Sequence, residues 1–210
     1  MILGISGSPR KNGITSHAVK YILDNCNHET KYISLSGKSI TGCTSCLGCT
    51  SDNICKVKDD FEDIAKQLVE ADAIVLGVPN YYDVPNALSH ALLERSFCFR
   101  HQGSFLLKDK PVIILSTGYS LDEDNSRVLD IVENFAKKNK MNLLDRFLVG
   151  AYSQCYSCSQ GKTCVDGNIV KDNGFVDEIL PNMLPAKFER QFDSIMKCER
   201  ASAQLNHLLV

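Results

Sequence analysis

The sequence predicts a doubly wound α/β fold built on a parallel sheet. Three runs carry most of that prediction: MILGISG (1–7), AIVLGVP (73–79) and PVIILST (111–117). Each is apolar over the length of a strand, the pattern of strands buried on both faces. Segments with helical periodicity alternate with them, which places the chain in the α/β class. With 210 residues, 44% of them hydrophobic, the chain is long enough for one such domain with a full core and an extension.

The elements follow in order. Residues 1–7 form the first strand, and a polar turn leads to an amphipathic helix from Thr15 to Asn25. A second strand covers Thr30–Leu35, and a cysteine-rich loop runs from Ser36 to Lys58. Asp59 and Asp60 open the helix DDFEDIAKQLVEA, where early acidic residues suit the positive end of the helix dipole. The third strand, 73–79, ends in Pro79 and is followed by a helix over Asn86–Phe97. The fourth strand is 111–117, a helix spans 121–140, and NLLDRFLVGAY (142–152) is the fifth strand. Five parallel strands fit the flavodoxin-like order 2-1-3-4-5. The domain thus occupies 1–152, with the cysteine loop 36–58 inserted after strand 2. Residues 153–210 form a cysteine-rich extension with a helix around Phe188–Leu208.

Composition narrows the function. A net charge of −2 marks no nucleic-acid partner. No apolar run reaches membrane-spanning length, and the N-terminal residues read as a strand rather than a signal peptide. Both points predict a cytoplasmic protein off the membrane. Ten cysteines without a secretion signal argue for metal or redox chemistry over a disulfide framework.

Four of the ten lie within thirteen residues. Cys43, Cys46, Cys49 and Cys55 follow C-x2-C-x2-C-x5-C. Thiolates this close converge on one centre, and a [4Fe–4S] cluster held by four sulfurs is the best fit. Bacterial ferredoxin runs end in x3-C-P, with the last Cys serving another cluster. Here the last gap is five and Lys56 follows, so all four are read as ligands of one cluster. Structural zinc is the main rival, although it usually takes two separated Cys pairs, and free thiols or disulfides are the third reading.

The first strand–helix turn, SGSPRKNGITS (6–16), is the place where this fold binds anions. It lacks the G-K-[ST] of a Walker loop and the G-x-G-x-x-G of a dinucleotide site. Ser8, Thr15 and Ser16 supply hydroxyls and Arg10 a fork of donors, which suits one terminal phosphate such as that of FMN. Two more loops sit at carboxyl ends of strands: Pro79-Asn80-Tyr81-Tyr82-Asp83 and Thr117-Gly118-Tyr119. Such loops can wrap a flavin ring with backbone donors and aromatic faces.

The runs GSPRKNGITS, GVPNYYDVPNALSHALLERS and the cysteine run ending CKVKDDF occur together and in order. Together they resemble the NADPH-dependent FMN reductase-like branch of the flavodoxin superfamily, and more narrowly its iron–sulfur flavoproteins. The likeness covers about residues 1–150. It implies FMN, one [4Fe–4S] cluster, and a homodimer or homotetramer in which the cluster of one subunit lies near the flavin of a neighbour. It also implies electron transfer from a ferredoxin-like donor to a small-molecule acceptor. By the same likeness Ser8, Arg10, Asn12, Thr15 and Ser16 hold the phosphate. Pro79, Asn80, Tyr81, Tyr82, Thr117 and Gly118 hold the ring. Relatives often carry Lys and Asp in the helix after the second loop, where this chain has His90 and Glu94.

A second group, Cys155, Cys158 and Cys164, repeats the x2, x5 spacing of Cys46, Cys49 and Cys55. Tyr152 stands where a fourth thiol would. The group predicts a second iron–sulfur cluster, a zinc site, or only thiols, with Cys198 or Cys98 as a candidate fourth ligand. The function expected is an electron-transfer flavoprotein. Two alternatives stand beside it: an NAD(P)H-dependent FMN or quinone reductase with a structural metal loop, and a redox sensor.

Overall fold

In the computed structural model, which describes residues 1–119, 121 and 126–208, the long strands run parallel. They are β1 (Ile2–Ser6), β2 (Thr30–Ser34), β3 (Ala73–Tyr81), β5 (Pro111–Gly118) and β6 (Asn142–Gly150), in the order β2-β1-β3-β5-β6. Counting long strands alone, this is the expected 2-1-3-4-5. Every residue of β1 and β5 is buried, as a sheet covered on both faces requires.

Alternate residues along each strand serve opposite faces. Leu3, Ile5, Leu76, Val78 and Ile114 pack against Phe61 and Ile64 of α2 (Phe61–Glu70) and Val128 and Val132 of α4 (Ser126–Lys138). Ile2, Val75, Ile113 and Leu115 pack against Val19 and Ile22 of α1 (Ile14–Asp24) and Cys198, Ala201 and Leu205 of α6 (Phe192–Leu208). Gly77 lets α1 approach: a Cβ there would stand 2.6 Å from Val19 Cγ2 and 2.9 Å from Thr15 Cγ2. The start of α1 is thereby held over the carboxyl end of β3.

The structure corrects the sequence reading at several ends. β3 does not stop at Pro79. It continues to Tyr81 and folds back on a two-residue strand, β4 (Val84–Pro85). The connecting Tyr82 and Asp83 have φ of 55° and 60°, the mirror-type turn that suits a tight hairpin. The Asn80 side chain accepts the Asp83 N–H at 2.8 Å and so closes the turn. α3 (Ala87–Arg95) ends two residues before Phe97 and tightens into a 3-10 turn, Ser96–Arg100. α6 starts at Phe192 rather than Phe188, after a separate 3-10 turn. The helix expected over 121–140 is seen from Ser126 to Lys138, while its first turn, 122–125, falls outside the described residues.

The tail is more than an appendage, because α6 completes one face of the core. Cys198 is fully buried there, and burial pushes its thiol up to about 12. It cannot serve the late cysteines as a fourth ligand. Replacing Cys198 with Ser buries a hydroxyl in an apolar site, so urea unfolding should show a loss of about 1–3 kcal/mol. Metal content of the same protein should not change, and its loss would contradict this placement.

Candidate functional site

The carboxyl ends of β1, β3 and β5 enclose a cleft of about 750 Å³ with the segment that follows β6, within the range of cofactor sites. Ser8, Arg10, Thr15, Pro79, Asn80, Tyr81, Tyr82, Thr117 and Gly118 all line it. Two of the expected residues do not. Asn12 is exposed on the turn. Ser16 is buried behind the loop, where its hydroxyl meets Ser6 Oγ at 3.0 Å and donates to the Arg10 carbonyl at 3.5 Å.

At one end of the cleft lies an open helix terminus. Gly13 caps α1 and has no side chain to offer, and the first turn contains no acidic residue. The leading N–H groups of α1 are therefore left for an anion. Ser8 Oγ accepts the Arg10 N–H at 3.1 Å, and a Cβ on Gly13 would come within 3.0 Å of that oxygen. Thr15 Oγ1 and Thr117 Oγ1 share a buried hydrogen bond of 2.7 Å, tying the loop to β5. Asn86 ties it to β3. Its amide donates to the Gly7 carbonyl at 2.9 Å, its N–H donates to the Pro79 carbonyl at 3.3 Å, and its Oδ1 caps α3 through Ser89 N–H. An uncapped helix end beside Arg10, with Tyr81, Tyr82 and the Gly118 backbone opposite, fits a flat ring on a phosphate tail.

The far wall was not foreseen. Tyr152, Ser153, Gln154, Cys155, Asp166 and Asn168 line the same cleft. Gln154 Nε2 donates to Tyr81 OH at 3.4 Å. The hydroxyls of Tyr119 and Tyr156 both donate to Asp172 of α5 (Asn168–Asn173), the latter at 3.0 Å. Burial and then the Asp172 carboxylate raise the Tyr119 phenol above its usual value. These bonds fasten the tail across the strand ends.

A second concavity, of about 70 Å³, lies at the other end of α3. Cys43, Cys46, Cys49 and Cys55 all line it, together with Arg95, Cys98 and His101. The loop has no regular secondary structure, and Ser45, Leu47 and Asn53 take left-handed φ values of 52°, 57° and 58°. Such turns let it wind back on itself.

The segment Glu94–Gln102 grips this loop. Glu94 Oε2 accepts the Cys43 N–H at 3.1 Å, and Asn53 Oδ1 accepts the His101 N–H at 2.7 Å. Gln102 Nε2 donates to the carbonyls of Thr50 and Ser51 at 3.0 and 2.7 Å. Two side chains reach the sulfurs: Arg95 Nε donates to Cys55 Sγ at 3.2 Å, and His101 Nε2 lies 3.1 Å from Cys49 Sγ. The Cys46 thiol is lowered, first by the Gly48 N–H and then by the Thr44 hydroxyl. Burial raises Cys49 and pushes Cys98 up to about 12. Four cysteines lining one concavity, with the Arg95 Nε–H aimed at the Cys55 sulfur and the His101 ring against that of Cys49, are a donor set of the kind a thiolate-bound cluster takes. Among the described residues, no three His, Cys, Asp or Glu side chains are placed to hold a single metal ion.

The late cysteines are more scattered. Cys155 is half-buried at the cleft, while Cys158 and Cys164 are exposed. Cys155 Sγ accepts the Asn168 N–H at 3.4 Å, and its thiol is lowered first by the Ser153 hydroxyl. Cys98 belongs to the early cysteine pocket and Cys198 to the core, so neither completes this group.

A cleft of this make at the carboxyl ends of a 2-1-3-4-5 sheet, together with the chain's family match, makes it a flavodoxin-like flavin oxidoreductase with FMN as its cofactor. The chain belongs to the NADPH-dependent FMN reductase family, whose profile matches residues 1–152, and within it to the iron–sulfur flavoproteins. One such flavoprotein, from Methanocaldococcus jannaschii, is 33% identical over 137 residues, covering 64% of this chain and 70% of that protein. Another, from Methanosarcina thermophila, is 28% identical over 137 residues, covering 64% and 71%. Among solved structures, RosB with a bound formylriboflavin phosphate intermediate superposes with a TM-score of 0.66 at 14% identity, over 99% of this chain and 77% of that one. A flavone reductase gives 0.58 at 19% identity, over 98% and 64%. Identities this low bear on the fold alone.

With Arg10 as a ligand of the FMN phosphate, its replacement by Ala would remove a charge-assisted contact worth about 1.5–3 kcal/mol. The dissociation constant for FMN, read by flavin fluorescence quenching, should rise about 10- to 150-fold. An unchanged constant would take Arg10 out of the phosphate site.

Proposed function

We propose that this flavin oxidoreductase is a two-centre electron carrier. FMN sits in the cleft and a [4Fe–4S] cluster on Cys43, Cys46, Cys49 and Cys55, and electrons pass from a ferredoxin-like donor to a small-molecule acceptor. The observation that carries this reading is the cysteine pocket, where four cysteines line one concavity and Arg95 and His101 approach the sulfurs of Cys55 and Cys49. When bound, FMN exchanges one or two electrons and the cluster one, so the pair can match a one-electron donor to a two-electron acceptor.

The chain's own residues bind and orient. Arg10 and the first turn of α1 fix the phosphate. The hairpin tip at Tyr82 and the tail wall narrow access of water to the ring site. Arg95 and Glu94 hold the cysteine loop in place. A homodimer or homotetramer that sets one subunit's cysteine loop against a neighbour's cleft is supported by the apolar side chains left in solvent at both places. Leu47 and Ile54 are 64% and 57% exposed on the loop, and Tyr82 is 98% exposed at the cleft mouth. Among the described residues no helix is long and apolar enough to cross a membrane, and we place the protein in the cytoplasm. Cys155, Cys158 and Cys164 are proposed as a second metal site on their repeated spacing alone.

The family's own description favours a second reading, an NAD(P)H-dependent reductase whose metal loop is structural. Stopped-flow mixing without oxygen separates the two. Chemically reduced ferredoxin should bleach the flavin within the first turnovers and NADPH should not; fast bleaching by NADPH alone would reverse the assignment. Replacing Cys55 with Ala should remove the iron and leave FMN bound, because the two sites share no side chain. Iron content unchanged in that variant would sink the ligand assignment.

A further inference from the structure

We propose that Arg95 sets the reduction potential of the cluster by donating its Nε–H to the Cys55 sulfur, and that Asp59 moderates the effect. This rests on the reading of Cys43, Cys46, Cys49 and Cys55 as cluster ligands. The Arg95 side chain is wholly buried, at 0% exposure, and Asp59 at 9% is nearly so. A buried guanidinium needs a counter-charge and partners for all its N–H groups. Asp59 supplies the first as a two-pronged pair: Nη1 donates to Oδ2 at 2.6 Å and Nη2 to Oδ1 at 3.1 Å. The carbonyls of Thr41 and Val57 accept from Nη1 and Nη2 at 3.1 and 3.2 Å, and the Phe61 ring lies under the guanidinium at 4.7 Å. Those contacts meet the structural needs of the group. The remaining donor, Nε, is spent on a sulfur rather than on another oxygen.

That placement has an electronic consequence. Reduction adds a negative charge to the cluster and its sulfurs. A donor and a positive charge held against a ligand sulfur stabilise the reduced form more than the oxidised one, so the potential rises. Arg95 and Asp59 are screened from water and Cys55 is half-buried, so the contact is weakened less than one at the surface would be. His101 Nε2 is as close to Cys49 Sγ, but its direction of donation depends on the tautomer. Arg95 has no such freedom, since it is always protonated and can only donate. Asp59 withdraws part of the same charge through its two hydrogen bonds.

The two residues therefore predict shifts of opposite sign. Protein purified without oxygen, unmodified and as Arg95→Gln and Asp59→Asn, would be titrated with a graded reductant. The cluster would be followed by EPR, and iron and FMN counted per chain. In Arg95→Gln the reduction equilibrium should become at least tenfold less favourable, a midpoint about 59 mV lower for one electron. In Asp59→Asn it should move the other way, with FMN content equal in all three proteins. A residue that only staples the loop would shift both variants alike, so equal shifts, or none with iron retained, would overturn the proposal. If Arg95→Gln holds no iron, Asp59→Asn decides alone: a raised midpoint supports the proposal and an unmoved one overturns it. If the unmodified protein itself binds no iron, the ligand reading fails first and the proposal falls with it.

Discussion

A parallel sheet covered on both faces leaves its strand ends as the one place where polar side chains reach a ligand. The rest of this molecule depends on that constraint. Every residue of β1 and β5 is buried, so recognition moves to the turn beyond Ser6 and to the carboxyl ends of β3 and β5 at Pro79–Tyr82 and Thr117–Gly118. Register brings those segments together: Ser6 pairs with Gly77, and Pro79 with Thr117. Thr15 and Asn86 then tie the three ends to one another through buried hydrogen bonds. The cleft is preformed by the same contacts that hold the sheet.

Helix α3 extends the arrangement to the second site. Its cap, Asn86, touches the phosphate loop, and its last residue, Arg95, touches Cys55. Nine residues separate the ends of the helix by about 14 Å at 1.5 Å per residue. The cysteine loop has no regular structure of its own and is held from outside. The Arg95–Asp59 pair is the most buried ion pair among the described residues. Removing one member of such a pair costs about 3–5 kcal/mol, whereas exposed pairs such as Lys58–Glu62 contribute little. The loop's position is thus governed by one interaction more than by its many surface contacts.

Much of this was legible in the sequence, for physical reasons. Fully apolar runs fix strands, strand alternation fixes the sheet, and the fold rule then says where a hydroxyl-rich turn must face. Cys43, Cys46, Cys49 and Cys55 could be grouped because short spacing alone brings thiols together. Ser16 and Asn12 were misplaced because a loop motif gives residue types but not which way each side chain turns. The grip of Glu94, Arg95 and His101 left no local signal: Arg95 meets Cys55 across 40 residues of chain, a purely tertiary relation. Glu94 stood out only as a departure from the family pattern, and it proves to hold the Cys43 N–H. The tail wall was missed because 153–168 has no long periodic segment to read.

The proposed arrangement puts a flavin and an all-cysteine four-iron cluster at opposite ends of α3 in one chain. Counting iron, inorganic sulfide, zinc and FMN on protein purified without oxygen tests it most directly. The account predicts about four irons and four sulfides for the early cysteines, with one FMN, per chain. Zinc in place of iron, or iron without sulfide, would contradict it.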